Sequence, residues 1–135
     1  MTEANGTPDH PWVLRTPPLT SEYDAWFDTV NGADIVVVRV GKTVLHYDRR
    51  CLDDLHAMLV EHGDWVELGS ADEQRDAKPG TVEAWGRSTD NPIGGWYGLK
   101  KGLRGRFAMY IPPLLEQLGT VEVEHNPRGN RMRAL

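Results

Sequence analysis

The sequence predicts a single α+β domain that begins with a helix and a β-hairpin. Its 135 residues, 39% of them hydrophobic, are enough to bury a core without disulfides or a structural metal. Apolar side chains recur with a helical period after residue 20 and again after residue 50, whereas β-branched residues are concentrated between residues 35 and 47. We expect residues 1–17 to form a mobile tail and residues 18–135 to form the globular domain.

The first predicted helix rests on the spacing of four large apolar side chains. They recur at i, i+3, i+4 and i+7, which places them on one helical face: Tyr23, Trp26, Phe27 and Val30. Thr20 or Ser21 can cap the start of this helix. Asn31-Gly32 is typical of its end, because glycine adopts left-handed backbone angles without steric strain.

A β-hairpin is predicted directly after this helix. Ile35–Val40 is β-branched and nearly continuous in apolar character, as is typical of a buried strand. Gly41-Lys42 separates it from a second strand, Thr43–Tyr47, by the two residues of a tight hairpin turn.

The next segment predicts the clearest helix of the chain. Apolar residues continue through Cys51, Leu55 and Leu59, Asp48 offers a cap, and Gly63 stands just past the end. Residues 64–68 alternate between polar and apolar and predict a short strand.

Two capping signals follow before a loop. Residues 70–73 read Ser-Ala-Asp-Glu, which is the S-x-x-E pattern of a capping box. Thr81 can cap one or two helical turns that place Val82 and Trp85 on a shared face. Asn91-Pro92 and Gly94-Gly95 then predict a loop.

A basic, glycine-rich segment begins at Gly98 and allows two interpretations. As a helix, the segment would have an apolar face, a basic face beside it and, opposite, a face of glycines without side chains. The apolar face would hold Leu99, Leu103, Phe107 and Tyr110. The basic face would hold Lys100, Lys101 and Arg104, and the glycine face Gly98, Gly102 and Gly105. An ordered loop is the alternative, because glycine lowers helix stability. Pro112 and Pro113 predict that one helix ends near Tyr110 and that another starts at the prolines and ends at Gly119.

The chain ends in a predicted hairpin. Val121–Glu124 and Arg131–Ala134 alternate on either side of turn residues 126–130. The run from Pro113 to Val123, with Arg128 in the turn and Arg131 after it, resembles the end of the recognition helix and the wing of MarR-type winged-helix regulators. The resemblance covers about the last 25 residues. It implies a winged-helix-like C-terminal part at residues 93–135, in which Arg128 is the wing-tip contact to DNA.

The whole chain also resembles a group of short actinobacterial proteins of uncharacterised activity. The shared runs are Gly63-Asp64-Trp65, residues 80–85 and residues 98–107. This likeness implies a standalone cytoplasmic protein and carries no activity with it. The absence of a long apolar run and of a signal-peptide pattern agrees with that expectation and predicts no membrane association.

Charge is distributed unevenly along the chain. Residues 1–92 hold 8 basic against 17 acidic residues, whereas residues 93–135 hold 7 basic against 3 acidic residues, so the C-terminal part has a net charge of +4 in a protein of net charge −5. This asymmetry has two interpretations. Either the basic part faces a polyanion, or it pairs internally with acidic residues, as Arg131 and Arg133 can with Glu122 and Glu124.

No catalytic, metal or cofactor motif is present. The five histidines lack metal-ligand spacing, Asp53 and Asp54 do not converge on a helix, and the glycines around Gly94 match no nucleotide-binding loop. Cys51 stands beside Arg49 and Arg50 near a helix start, which can lower a thiol pKa, but packing in the core is the commoner role of such a residue. The sequence therefore predicts neither an enzyme nor a cofactor.

These observations favour a non-catalytic nucleic-acid-binding protein. The residues expected to contact nucleic acid are Lys100, Lys101, Arg104, Arg106, Arg128 and Arg131. Trp96 and Tyr97, next to the lysines, either stack on bases or pack into the core. The alternative function is a protein–protein interaction module or a homodimer without nucleic-acid binding, which the overall acidic balance favours.

Overall fold

The computed structural model describes residues 5–71, 75–99 and 106–135, and it begins with a four-stranded antiparallel sheet. The strands are β1 (Trp12–Arg15), β2 (Glu22–Val30), β3 (Ala33–Val40) and β4 (Thr43–Asp48), and they pair in the order β1-β2-β3-β4. Strand β1 therefore lies within the segment expected as a tail, where it pairs with β2 from Trp12 opposite Ala25 to Arg15 opposite Glu22.

Helices and a second, smaller sheet follow. The helices are α1 (Arg50–His62), α2 (Val82–Arg87) and α3 (Phe107–Gln117), and the strands are β5 (Val66–Glu67), β6 (Val121–Val123) and β7 (Arg131–Ala134). The smaller sheet has the order β5-β7-β6, with both pairs antiparallel. Within the described ranges, no helix combines the length and the apolar character needed to cross a membrane.

The predicted N-terminal helix is wrong, because its residues form strand β2. The aromatic spacing fits a helix, but the same stretch also alternates, so that Tyr23, Ala25 and Phe27 point to the core. Aromatic and β-branched side chains favour extended backbone, and pairing with β3 over seven residue pairs supplies the hydrogen bonds that a helix would have made locally.

The hairpin and the helix after it are confirmed. Strands β3 and β4 pair from Ile35 opposite Asp48 to Val40 opposite Thr43, around the Gly41-Lys42 turn. Helix α1 ends at Gly63, which has a left-handed φ of 75° and donates its N–H to the Leu59 carbonyl. The predicted cap is displaced: Arg49 occupies the capping position without a side-chain hydrogen bond, while the Asp48 carboxylate accepts from the Arg50 N–H at 3.1 Å.

The short strand after α1 and the cap of α2 are also confirmed. β5 occupies Val66–Glu67, within the predicted residues 64–68. The Thr81 hydroxyl accepts a hydrogen bond from the Ala84 N–H at 3.2 Å at the start of α2. The predicted capping box at residues 70–73 falls partly on positions outside the described residues.

The predicted break at the two prolines is wrong, because α3 runs through Pro112 and Pro113 without interruption. Neither proline has an N–H, so the Met109 carbonyl lacks both its i+3 and its i+4 helical donor. Burial outweighs this loss: eight of the eleven residues of α3 are buried. The neighbouring Tyr110 carbonyl accepts a 2.6 Å hydrogen bond from the Tyr23 hydroxyl on β2.

The winged-helix-like C-terminal half is wrong as well. The helix in the place of a recognition helix, α3, is buried on most of its circumference and cannot enter a DNA groove. The predicted hairpin of β6 and β7 does form, but β7 also pairs with β5, so it belongs to a three-stranded sheet and is no free wing. The domain remains mixed in α and β structure, with the larger sheet first.

Aromatic rings concentrate in the core around Phe107. Four rings lie with their centroids 5.8 to 6.2 Å from that of Phe107, and they come from β4, α2 and the segment after it: Tyr47, Trp85, Trp96 and Tyr97. Because Phe107 is the first residue of α3, this cluster fixes the start of that helix, directly after Arg106.

Candidate nucleic-acid interface

The basic segment, which holds Lys100, Lys101 and Arg104, follows in sequence an added edge of the larger sheet. The Asp48 N–H donates to the Tyr97 carbonyl at 2.9 Å, and the Leu99 N–H donates to the His46 carbonyl at 2.8 Å, so residues 97–99 lie alongside β4. The side chain of Leu99 is 53% exposed. The chain is therefore at the surface directly before Lys100.

Arg106 is the first described residue after these positions, and it is also exposed. Its backbone has a left-handed φ of 63°, and its N–H donates to the Ala71 carbonyl at 2.7 Å. Both ends of the segment are thus fixed to the body by backbone hydrogen bonds. Lys100, Lys101 and Arg104, three of the expected contacts, lie outside the described residues, as does the proposed glycine face.

A buried carboxylate holds the helix that follows. Glu83 on α2 is 0% exposed, and its oxygens accept from the N–H groups of Ala108 at 3.0 Å and Phe107 at 3.3 Å, at the start of α3. Arg87 donates to the same carboxylate at 3.0 Å. Burial raises the pKa of Glu83 above its ordinary value, although the hydrogen bonds and Arg87 act in the opposite direction.

The two aromatic candidates differ in their surroundings. Tyr97 is 0% exposed, and its ring packs against Trp85 and Phe107 at centroid distances of 5.4 and 5.8 Å, so the buried ring is closed to a base. Its hydroxyl donates to Asp54 at 2.9 Å. Trp96 is half-buried and packs edge-on against Tyr47 and Phe107.

Arg128 stands at the tip of the β6–β7 turn, beside a cleft of about 320 Å³. The walls of this cleft come from the β1–β2 connection at Pro17 and Pro18, residues 67–70, the first turn of α3 and turn residues 127–130. Ser70 precedes the Ala71 carbonyl that holds Arg106, and Ala108 follows Arg106 by two residues. The cleft therefore connects Arg128 with the residues beside Arg106. We call it the Arg128 cleft.

The other terminal arginines are engaged within the small sheet. Arg131 forms a hydrogen-bonded ion pair with Glu124 at 2.9 Å, and Arg133 pairs with Glu122 at 3.0 Å. Both guanidinium groups also lie over the Trp65 ring, at 5.0 and 4.5 Å from its centroid. These contacts are the internal pairing that the sequence left open.

We also searched the described residues for groups that could bind a metal or act in catalysis. In the described part of the chain, no three His, Cys, Asp or Glu side chains are grouped as metal ligands. His62, Ser88 and Asp90 line one cleft, but no hydrogen bond joins the His62 ring to either partner among the residues that are described. Cys51 is 0% exposed, and burial raises the pKa of its thiol well above the ordinary value.

Sequence reasoning missed the two residues that organise this region. In the sequence Glu83 looks like an ordinary helix residue, because the backbone N–H groups that donate hydrogen bonds to it lie 24 and 25 positions further along the chain. In the sequence Asp54 reads only as one of two adjacent carboxylates that do not converge, whereas in the structure its carboxylate accepts hydrogen bonds from both Tyr97 and Arg50. Only the position of Glu83 one turn before Arg87 hinted at a paired carboxylate.

The chain belongs to a family of unknown function, DUF6855, whose match covers residues 4–135. No curated protein and no solved structure matches it.

Proposed function

We propose that this protein is a non-catalytic nucleic-acid-binding protein that contacts phosphates through its basic segment and Arg128. The residues proposed to contact phosphates are Lys100, Lys101, Arg104 and Arg106, together with Arg128, which lines the Arg128 cleft. We also propose that the protein is a standalone cytoplasmic protein, as its resemblance to short actinobacterial proteins implies.

One observation carries the proposal. From Asn91 to Leu115 the chain has four basic residues and no carboxylate, and the described residues on either side of positions 100–105, Leu99 and Arg106, are both exposed. A stretch of sequence that holds several cations and no acidic residue attracts a polyanion through its local positive charge.

Arg128 extends this surface, whereas Arg131 adds less. The Arg128 cleft links Arg128 to the residues beside Arg106, so one strand of phosphates can pass both. Arg131 already neutralises Glu124, and a phosphate would have to replace that pair. Tyr97 is left out of the interface because its side chain is completely buried.

Titration of a fluorescent oligonucleotide tests the proposal. We expect binding that weakens steeply between about 50 and about 200 mM salt, with a smaller salt slope for a Lys100→Gln/Lys101→Gln variant. Arg15→Gln/Lys42→Gln removes the same charge from exposed positions on the larger sheet and should keep the slope. Equal slopes for the two variants, or no binding at low salt, would contradict the proposal.

The acidic balance of the whole chain favours a second candidate, a protein–protein interaction module or homodimer. A net charge of −5 repels nucleic acid at long range, so a partner protein is the alternative occupant of this face. Lys100→Glu/Arg104→Glu separates the two. Charge reversal should abolish oligonucleotide binding, whereas a mainly apolar protein interface, followed by sedimentation equilibrium, should persist.

A further inference from the structure

His125 lies between two hydrogen-bond acceptors from different parts of the fold. Its Nε2 is 2.6 Å from a carboxylate oxygen of Glu116 on α3, and its Nδ1 is 3.0 Å from the Pro17 carbonyl in the β1–β2 connection. A neutral imidazole has one N–H and one lone pair, whereas an imidazolium has two N–H groups. Only the protonated ring satisfies both acceptors.

The neutral ring must give up one of these contacts. The charged carboxylate of Glu116 is the stronger acceptor, so the remaining N–H stays on Nε2. The Nδ1 lone pair then faces the Pro17 carbonyl oxygen, which also carries partial negative charge. Deprotonation therefore exchanges an attraction for a repulsion at Pro17 and leaves the contact with Glu116 in place.

Pro17 is a wall of the Arg128 cleft. Pro17 and Pro18 line that cleft, and so do the turn residues 127–130, which follow His125 in sequence. The His125–Pro17 hydrogen bond thus ties the two walls together. In the described part of the chain, the charged groups around the ring are Glu116 on α3 and Arg15 on β1, which line a neighbouring cleft with it, and the adjacent residue Glu124, which is paired with Arg131.

We propose that His125 is a proton-operated clasp that holds the Pro17–Pro18 wall of the Arg128 cleft against the β6–β7 turn. The clasp is closed when the ring is protonated, and the wall is released from the turn when the ring loses its proton. This inference goes beyond the proposed function and does not depend on it, because the clasp acts with or without a ligand.

The electrostatics of the site agree with this assignment. Partial burial lowers the pKa of the ring, but the hydrogen bonds to Glu116 and Pro17 outweigh it, and the His125 pKa is raised above 6.5. Because the pKa of His125 is raised in the folded state, the clasp stabilises the protein fully when the pH is below the pKa of His125 in the unfolded chain. That contribution is lost as the pH rises through the folded pKa.

NMR titration of the His125 ring in the ligand-free protein tests the clasp. We expect a His125 pKa above about 6.5 in the natural sequence and a lower one in Glu116→Gln, which keeps an oxygen acceptor but removes the charge. Glu61→Gln, at an exposed position on α1, should leave the His125 pKa unchanged. A pKa at or below 6.5 in the natural sequence would overturn the proposal.

Amide exchange reports on the wall itself. The N–H groups of Thr16 and Leu19, bonded to Ser21 and Thr16, flank Pro17 and Pro18. Their protection factors, corrected for intrinsic exchange, should fall as the pH passes the His125 pKa, and they should not change in His125→Gln. Constant protection across that pH would also overturn the clasp. Both measurements use no nucleic acid, so they stand apart from any failure of the proposed function.

Discussion

The buried carboxylate of Glu83 accepts a 3.0 Å hydrogen bond from the Ala108 N–H and so caps a helix that begins 24 residues further along the chain. The first N–H groups of a helix lack partners within it, and a carboxylate at that end also meets the positive end of the helix dipole. Arg87 completes the arrangement by pairing with the same carboxylate. Through this cap α2 sets the position at which the basic segment ends.

Removal of this carboxylate should destabilise the fold strongly. Glu83→Ala removes the buried acceptor of two N–H groups and the carboxylate partner of Arg87, and loss of one partner of a buried ion pair lowers the free energy of unfolding by about 3–5 kcal/mol. Urea unfolding followed by circular dichroism measures the change. Glu61→Gln on exposed α1 is the control and should stay within about 0.5 kcal/mol.

The same group gives a pH signature. Because burial raises the Glu83 pKa in the folded state, the folded protein binds this proton more tightly than the unfolded chain does. Its contribution to stability therefore falls as the pH rises from 4.5 through the folded pKa. Glu83→Gln should lose that part of the pH dependence. An unchanged profile would show that Glu83 does not titrate with folding.

Two buried tyrosines should respond in opposite ways to loss of the hydroxyl. The Tyr23 hydroxyl donates to the Tyr110 carbonyl at 2.6 Å, so Tyr23→Phe should lower the free energy of unfolding by about 1–3 kcal/mol. The Tyr47 hydroxyl is buried without a hydrogen-bond partner among the described residues. Tyr47→Phe removes an unsatisfied polar group and should be neutral or stabilising. Equal losses in both variants, measured by denaturant titration, would contradict the assigned hydrogen bonds.

The elements that the sequence predicted correctly carry their signals locally. Gly63 ends α1, Gly41-Lys42 turns the β3–β4 hairpin, and Thr81 caps α2, each within four residues of the group that it serves. The prediction for the residues of β2 was wrong because their conformation depends on a contact outside the segment. Its aromatic residues satisfy both a helical and an alternating pattern, and pairing with β3 decided between them.

The site was less predictable than the fold. Pro112 and Pro113 argue against a continuous helix when local propensity is considered alone, but the burial of α3 on both the sheet side and the α2 side reverses that balance. The Glu83 cap and the His125 clasp join residues far apart in the chain. Such pairs leave no periodicity or spacing that a single sequence reveals.

Gly86 on α2 should tolerate no side chain, even though alanine favours helices. A Cβ atom there would lie 2.8 Å from the Cδ1 atom of Phe107, whose ring is fixed by its stacked neighbours. The propensity gain of about 1 kcal/mol is smaller than the strain of overpacking, about 1–3 kcal/mol, so Gly86→Ala should lower the melting temperature. Gly95→Ala meets no atom within 4 Å and is the matched control, expected to be close to neutral.

Cys51 should behave as an inert core residue. Its thiol is 0% exposed, and burial raises its pKa well above the ordinary value in spite of the neighbouring Arg49 and Arg50. At about pH 8 the folded protein should react with a thiol reagent only through transient unfolding, so the labelling rate should follow the unfolding equilibrium. Tyr23→Phe supplies the check: a loss of about 1.4 kcal/mol in stability should speed labelling about tenfold, if global opening exposes Cys51. Rapid stoichiometric labelling of the folded protein, with an unchanged circular dichroism spectrum, would instead place the thiol at the surface.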